Sequence, residues 1–325
     1  MLAFIIRRLA QALVVIVAMV VLVFFGTHVI GDPVWMMVPG DATQEQIEQV
    51  RREFGFDQPV YVQFLRFLAD VLQGDFGRSY VHGESAITLI LERMPATMEL
   101  ALAALVLAVL IGIPLGLFAG LRPDHPLSRG IMAASILGFS LPTFWVGLML
   151  IMFFSVMLGW LPATGQGATV DIFGIKTSLF TLDGWKHLFL PAVNLALLKV
   201  SLVIRLTRSG AREASLQDYV KFARAKGLSP ARIVGVHILK NILIPIVTVL
   251  GLEFGSLVAF SVVTETIFAW PGMGKLLLEA IQRLDRPLIV AYVMVVVLLF
   301  VTINLIVDVL YSALDPRVRL TGSQA

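Results

Sequence analysis

The sequence predicts an all-α membrane protein with six transmembrane helices, and three observations carry that prediction. Six stretches, 9–30, 96–121, 131–160, 188–207, 242–266 and 288–312, are apolar over the roughly 20 residues needed to cross a ~30 Å hydrocarbon core. Hydrophobic residues make up 58% of the 325-residue chain and charged residues only 14%. A soluble domain carries roughly 25% charged residues, so a soluble globular enzyme and a disordered chain are both excluded. The third observation is where the 25 Lys and Arg lie, because a membrane sorts them between its two sides.

The first span follows Arg7-Arg8 and so looks like a signal peptide. Its apolar run is longer than the 7–15 residues of a signal core, and no Ala-x-Ala site follows, so it reads as an uncleaved span (1–30). With the N-terminus inside, the inner face collects Arg7, Arg8, Arg122, Arg129, the cluster from Arg208 to Lys240, Arg317 and Arg319. The outer loops 161–187 and 267–287 hold only Lys176, Lys186, Lys275, Arg283 and Arg286. The outer segment 31–95 has five Arg against ten Asp and Glu. Six spans with both ends inside satisfy this asymmetry.

Segment 31–95 is too long for a plain connector. Thr43 and Gln46 have capping-box spacing, Ile47, Val50 and Phe54 share a face, and Gly55 is a stop. Pro59 opens a second helix bearing Phe64, Leu65, Leu68, Val71 and Leu72, closed by Gly74. Two such helices make a small extracytoplasmic cap, either a lid packed on the spans or a docking surface for an outside partner. The core runs over 96–312 with a short tail at 313–325. In the core, Gly112, Gly116 and Gly120 make two GxxxG steps and Gly251 with Gly255 another, the pattern that lets helices approach closely. Pro114, Pro142 and Pro191 can bend spans two, three and four.

Segment 208–241 is the polar centre of the core. Its 208–240 stretch carries seven Lys or Arg against Glu213 and Asp218, a net +5. Ser215 and Asp218 match a capping box, Gly227 suits a left-handed helix end, and Ser229-Pro230 can cap and open the next helix. An ordinary positive-inside loop explains the charge alone. A short helix facing a cytosolic partner explains the caps and the apolar Val220, Phe222, Ala223, Leu228, Ile233 and Val234 as well.

No HExxH pair, histidine cluster or nucleophile elbow appears. His28, His82, His125, His187 and His237 are scattered and read as structural or interfacial. With no cysteine, disulfides, thiolate metal sites and cysteine nucleophiles are excluded. Pro271-Gly272-Met273-Gly274-Lys275 imitates a phosphate loop, but Ala269 stands where the first Gly is required and Leu276 where Ser or Thr is required. The chain is therefore expected to bind no cofactor and to have no engine of its own.

Asp218-Tyr219-Val220-Lys221-Phe222-Ala223-Arg224-Ala225-Lys226-Gly227-Leu228-Ser229, followed by His237, Asn241 and Ile244-Pro245, resembles the cytoplasmic coupling signature of binding-protein-dependent ABC importer permeases, in their dipeptide/oligopeptide/nickel branch. The likeness extends over nearly the whole chain: Phe4-Ile5-Ile6-Arg7-Arg8-Leu9, Gly31-Asp32-Pro33, Gly74-Asp75-Phe76-Gly77, Arg93-Met94-Pro95-Ala96-Thr97, Gly159-Trp160-Leu161-Pro162, Thr264-Glu265-Thr266-Ile267-Phe268, Trp270-Pro271-Gly272 and Leu314-Asp315-Pro316-Arg317. Lys221 and Phe222 depart from the acid and first Ala of the general motif, and Pro245 lies farther beyond the Gly.

The resemblance implies the type I importer permease fold in a bacterial inner membrane. It implies a second homologous permease, two cytosolic ATPase subunits holding ATP and Mg, and an extracytoplasmic binding protein, with no nucleic acid among the partners. Phe222, Ala223, Arg224, Ala225, Lys226, Gly227, Leu228 and Arg232 are then the expected ATPase-coupling residues. Cargo is expected to be a di- or oligopeptide, with a nickel chelate, glutathione or another small solute as alternatives. A stand-alone secondary transporter is the rival class. It needs a charged relay inside the spans, where the sequence offers chiefly Lys199 and Glu253.

Two further sites are read from the spans. Lys199 lies about 9–12 Å and Glu253 about 13–18 Å inward from the cytosolic ends of spans four and five, so the two are expected to pair. Otherwise Lys199 snorkels and Glu253 faces a wet cavity. Ser140, Thr143 and Trp145, flanking Pro142, and Ser256, beside Gly255, are the expected lining of a substrate path. For Trp145 an interfacial or core aromatic is the competing reading.

Overall fold

The computed structural model describes residues 2–29, 34–38 and 40–314. The Gly31-Asp32-Pro33 and Asp315-Pro316-Arg317 stretches lie outside them, as do Arg319 and the side chains of Arg7 and Arg8. The chain forms two compact units: 1–97 with 271–301, and 98–270 with 302–325.

The first unit holds α1 (Leu2–Val29), α2 (Val34–Met37), α3 (Gln44–Glu53), α4 (Val60–Leu72), the start of α5 (Ala86–Leu121), α13 (Met273–Gln282) and most of α14 (Arg286–Leu314). In α3 the Thr43 hydroxyl accepts from the Gln46 N–H while the Gln46 side chain accepts from the Thr43 N–H, the capping box the spacing predicts. Gly55 (φ +70°) and Gly74 (φ +77°) end the two cap helices in the left-handed region. The apolar face of α4, Phe64, Phe67, Leu68 and Val71, packs with Val20, Val290 and Met294. The second cap helix, α4, is thus held by an aromatic and aliphatic cluster rather than standing free.

The second unit holds α6 (Pro126–Ser140), α7 (Thr143–Leu150), β1 (Val170–Ile172), β2 (Ile175–Thr177), α8 (Leu182–Leu216), α9 (Asp218–Ala225), α10 (Pro230–Arg232), α11 (Lys240–Phe260) and α12 (Val262–Ile267). Ile151–Met157 and Ile233–Leu239 widen into π-helix. Ala86–Leu121, Leu182–Leu216, Pro230–Phe260 and Arg286–Asp308 are long and apolar enough to cross a membrane. The pair α6 and α7 with its π extension is a fifth candidate, bent by 105°. In α1 the described apolar stretch is Leu13–Gly26.

Three expectations are corrected here. The third span is not one helix over 131–160. The Leu141 N–H closes the end of α6, and Pro142, which cannot donate, starts α7 on a new axis. Pro191, by contrast, stays inside an unbroken α8. The fold is also not purely helical, since Val170–Ile172 and Ile175–Thr177 pair antiparallel. Phe173 (φ +55°) and Gly174 (φ +83°) form the two-residue turn whose twist suits a hairpin, and the Asp171 carboxylate accepts from the Gly174 N–H at 2.7 Å. Finally, Ser215 and Asp218 form no capping box. α8 runs on to Leu216, so the Ser215 hydroxyl bonds back to the Arg212 carbonyl, and Gln217 is the cap of α9.

The glycine steps do what their spacing predicts. A Cβ on Gly116 would lie 2.6 Å from Thr207 Cβ and 2.8 Å from the Ile204 carbonyl oxygen. One on Gly120 would lie 2.7 Å from the Arg208 carbonyl oxygen. Only hydrogen fits there, so α5 and α8 meet backbone to backbone.

Candidate coupling surface and intramembrane polar cluster

α9 is an eight-residue helix laid against the end of the long spans. Val220 and Ala223, three apart, turn inward and join Val203, Ala211, Ala214, Ile233, Ile238 and Ile242 in one apolar cluster, with Leu228 half-buried at its edge. This corrects the expectation for Ala223: at 3% exposure it is a packing residue and offers no surface to a partner. The opposite face is open. Phe222 is 62% exposed and Lys226 sits 4.6 Å over its ring, while Arg224, Ala225 and Arg232 are exposed. Lys221 donates to Asp218 at 2.8 Å, and that bond, followed by the attraction between the two charges, holds the Asp218 carboxyl below its ordinary value. Gly227 turns the chain at φ +75°, with nothing within 4 Å of where a Cβ would stand. The constraint there is backbone conformation alone; Pro230 opens the next helix as predicted, while Ser229 stands at its N-cap position without a side-chain cap bond.

Inside the spans, Lys199 bonds Glu253 directly, and Ser256 joins them: Lys199 Nζ donates to Ser256 Oγ at 2.8 Å, and Ser256 Oγ lies 2.9 Å from Glu253 Oε2. Lys199 and Glu253 face one another across α8 and α11. Ser256, expected on a substrate path, belongs to this cluster and not to the group around Pro142. Ser140, Thr143 and Trp145 stay together at the α6–α7 break, where Ser140 and Trp145 are exposed and the Ser140 hydroxyl returns to the Ile136 carbonyl at 2.9 Å.

Lys199 and Glu253 are not the chief buried charges. Glu265 and Asp285 are fully buried and Glu99 nearly so. The Glu99 carboxylate accepts from the Ser178 N–H and hydroxyl and from Gln166 Nε2, tying down the loop that carries the hairpin. Glu265 accepts from the Ser261 hydroxyl at 2.7 Å. In the first unit, Asp285 accepts from the Ser79 hydroxyl and the Tyr80 and Val81 N–H groups. Tyr80, partly buried beside Asp285, has its hydroxyl pushed up to about 12, chiefly by burial and against the opposing pull of Arg286. The sequence carried a signal for Glu99, the one charged residue of 96–121. It carried none for Asp285, which stands among ordinary loop charges. His125 caps α6, its Nδ1 accepting from the Leu127 N–H at 3.1 Å.

Residues 112–320 match the family described as "binding-protein-dependent transport system inner membrane component", and residues 1–101 match its N-terminal counterpart. The chain belongs to that family.

It is 40% identical to the "Di/tripeptide transport system permease protein DppB" of Pseudomonas aeruginosa, over 98% of this chain and 99% of that protein. It is 38% identical to the "Oligopeptide transport system permease protein AppB" of Bacillus subtilis, over 98% and 100%. The "Glutathione transport system permease protein GsiC" of Salmonella paratyphi A is also 38% identical, over 98% and 99%. Among solved structures, a chain of the MetNI methionine ABC transporter in an inward-facing conformation superposes with a TM-score of 0.54. That match has 18% identity and covers 70% of this chain and 96% of that one, a likeness of fold.

Proposed function

We propose that this chain is one half of the translocation path of an ATP-driven importer that takes up di- or oligopeptides handed over by an extracytoplasmic binding protein. In this reading it crosses a bacterial inner membrane six times with both termini in the cytoplasm, which puts the basic α8–α11 connection on the positive side. A second homologous permease completes the path. ATP and Mg belong to two cytosolic ATPase subunits, and the chain itself holds no cofactor and makes or breaks no covalent bond. The cap helices α3 and α4 lie on the outer side.

The observation that carries the coupling role is the division of α9 into two faces. Val220 and Ala223 are locked into the apolar cluster, so α9 moves with the spans. Phe222, Arg224 and Lys226 point away from it. An aromatic knob ringed by cations fits an apolar groove with an acidic rim on an ATPase subunit. A rigid helix gripped on both faces transmits motion from nucleotide closure to the bundle. Peptide cargo is favoured by the relatives, whose names cite di- and tripeptides, oligopeptides and glutathione.

The coupling role is tested by purifying the complex with Phe222→Asp. The variant should insert and fold as the parent does, because Phe222 is 62% exposed and stands outside the apolar cluster that holds α9. It should recover under a tenth of the ATPase subunits, the loss expected for an interface hot spot. Full recovery with unchanged peptide-stimulated hydrolysis would remove α9 from the coupling role.

A further inference from the structure

We propose that Lys199, Glu253 and Ser256 receive the two charged ends of the peptide during passage, exchanging their bond to one another for bonds to the peptide's carboxylate and ammonium. This rests on the peptide reading above and adds a contact point to it.

The position argues for a site. Lys199 lies at the middle of the 35-residue α8 and about 9–12 Å inward from the cytosolic end of its apolar stretch 188–207. Charges that deep in a span are expensive to keep and are held where a polar path runs. The cluster is not sealed: the Lys199 side chain is 18% exposed and that of Glu253 29%. Acyl chains cannot lie against an open ammonium or carboxylate, so that open side faces the path or the second permease that completes it.

The bonding leaves room for a ligand. Lys199 has three N–H donors and uses two, toward Glu253 and Ser256. Glu253 uses Oε2 for both of its partners, and among the described residues no partner meets Oε1. Each charge therefore keeps one unused position, an anion acceptor site on Lys199 and a cation acceptor site on Glu253.

The chemistry of the cargo fits. Peptides differ in every side chain, but each free peptide carries one ammonium and one carboxylate. A fixed ammonium–carboxylate pair is the complement of that common feature. Swapping partners leaves the total charge in the path unchanged, so neither partner is left buried and alone at any stage. The Ser256 hydroxyl, able to donate and to accept, bridges whichever group has lost its partner. Release is easy for the same reason, since Lys199 and Glu253 re-pair once the peptide leaves.

The absence of cysteine makes a direct test possible. The complete transporter is reconstituted in vesicles, uptake of alanylalanine is measured, and Lys199→Cys, Glu253→Cys and Ser256→Cys are probed with anionic and cationic thiosulfonates. Ser256→Cys keeps the ion pair and guards against loss of fold in the other two. All three should react in at least one nucleotide state, and alanylalanine with its binding protein should slow each reaction severalfold. Glu253→Cys, with Lys199 unpaired, should prefer the anionic reagent about tenfold, and Lys199→Cys the cationic one, as a unit charge a few Å away dictates. If the parent takes up alanylalanine but the three thiols are silent, or react without protection by the peptide, this inference falls and the peptide reading stands. If the parent takes up no alanylalanine, both fall.

Discussion

Gly120 and Gly130 differ by ten positions and by everything a side chain would meet. A Cβ on Gly120 would strike the Arg208 carbonyl and come within 2.9 Å of Ala211 Cβ, whereas one on Gly130 meets nothing within 4 Å. Gly120→Val should therefore separate α5 from α8 and lower stability by about 1–3 kcal/mol, the usual scale of overpacking. Gly130→Ala should be neutral or slightly stabilising, because it removes a helix-interior glycine. Thermal stability of the two variants in detergent, followed by size-exclusion, checks the contrast. This packing was legible in the sequence because GxxxG spacing states a backbone requirement directly. Tyr80 was not legible, since its environment comes from residues some 205 positions away. With its hydroxyl raised from 10 to about 12 in the folded chain, the neutral phenol is the form that folding favours. Its contribution is complete below pH 10 and is lost as pH rises toward 12. Titration by ultraviolet absorbance should show a tyrosine ionising near pH 12, and Tyr80→Phe should remove that step.

At the scale of elements, the legible features were those set by local chemistry. The Thr43–Gln46 capping box, the glycine stops at Gly55, Gly74 and Gly227, and the Ser229-Pro230 start all lie where their residue types require. Ser215 misled because capping spacing cannot say whether the preceding helix has already ended. Ala223 misled because an alternating face on a short helix does not reveal which side is covered. The hairpin at 170–177 escaped because apolar spans dominate the reading, although Ile172-Phe173-Gly174-Ile175 has the form of a tight turn between β-branched residues. Two buried carboxylates fasten loops, Glu99 from within α5 in one unit and Asp285 just before α14 in the other. Glu99→Ala leaves the buried Ser178 donors without an acceptor, and Asp285→Ala does the same to Ser79, a loss of about 1–3 kcal/mol each. Protease added to outside-out membranes should then cut Glu99→Ala within 166–180 and Asp285→Ala within 78–85. Cleavage no faster than in the parent would deny these carboxylates a fastening role.

For the whole molecule, composition alone established the membrane class, and the family was legible from dispersed short motifs. The structure explains several of those motifs physically. Thr97 accepts from the Met273 N–H at 2.8 Å. Glu265, Phe268 and Trp270 are buried, with the Phe268 carbonyl accepting from the Gly165 N–H at 2.9 Å. Gly74-Asp75-Phe76-Gly77 is a double left-handed turn pinned by the Asp75 carboxylate on the Gly77 N–H. Cargo was the least legible property, since no side chain in the spans names a solute. On the proposed reading, Lys199 and Glu253 match any zwitterion, and the choice among zwitterions falls to the binding protein.

The account's central claim is that this chain moves peptides only as part of an ATP-driven complex, with the exposed face of α9 as the mechanical link. Uptake of labelled alanylalanine into vesicles holding the full complex tests it most directly, with the binding protein outside, ATP inside and Phe222→Asp compared with the parent. The account predicts accumulation that requires both ATP and the binding protein in the parent, and a loss of at least tenfold in Phe222→Asp at equal amounts of inserted protein. Uptake by this chain without the ATPase subunits, or undiminished accumulation in Phe222→Asp, would contradict it.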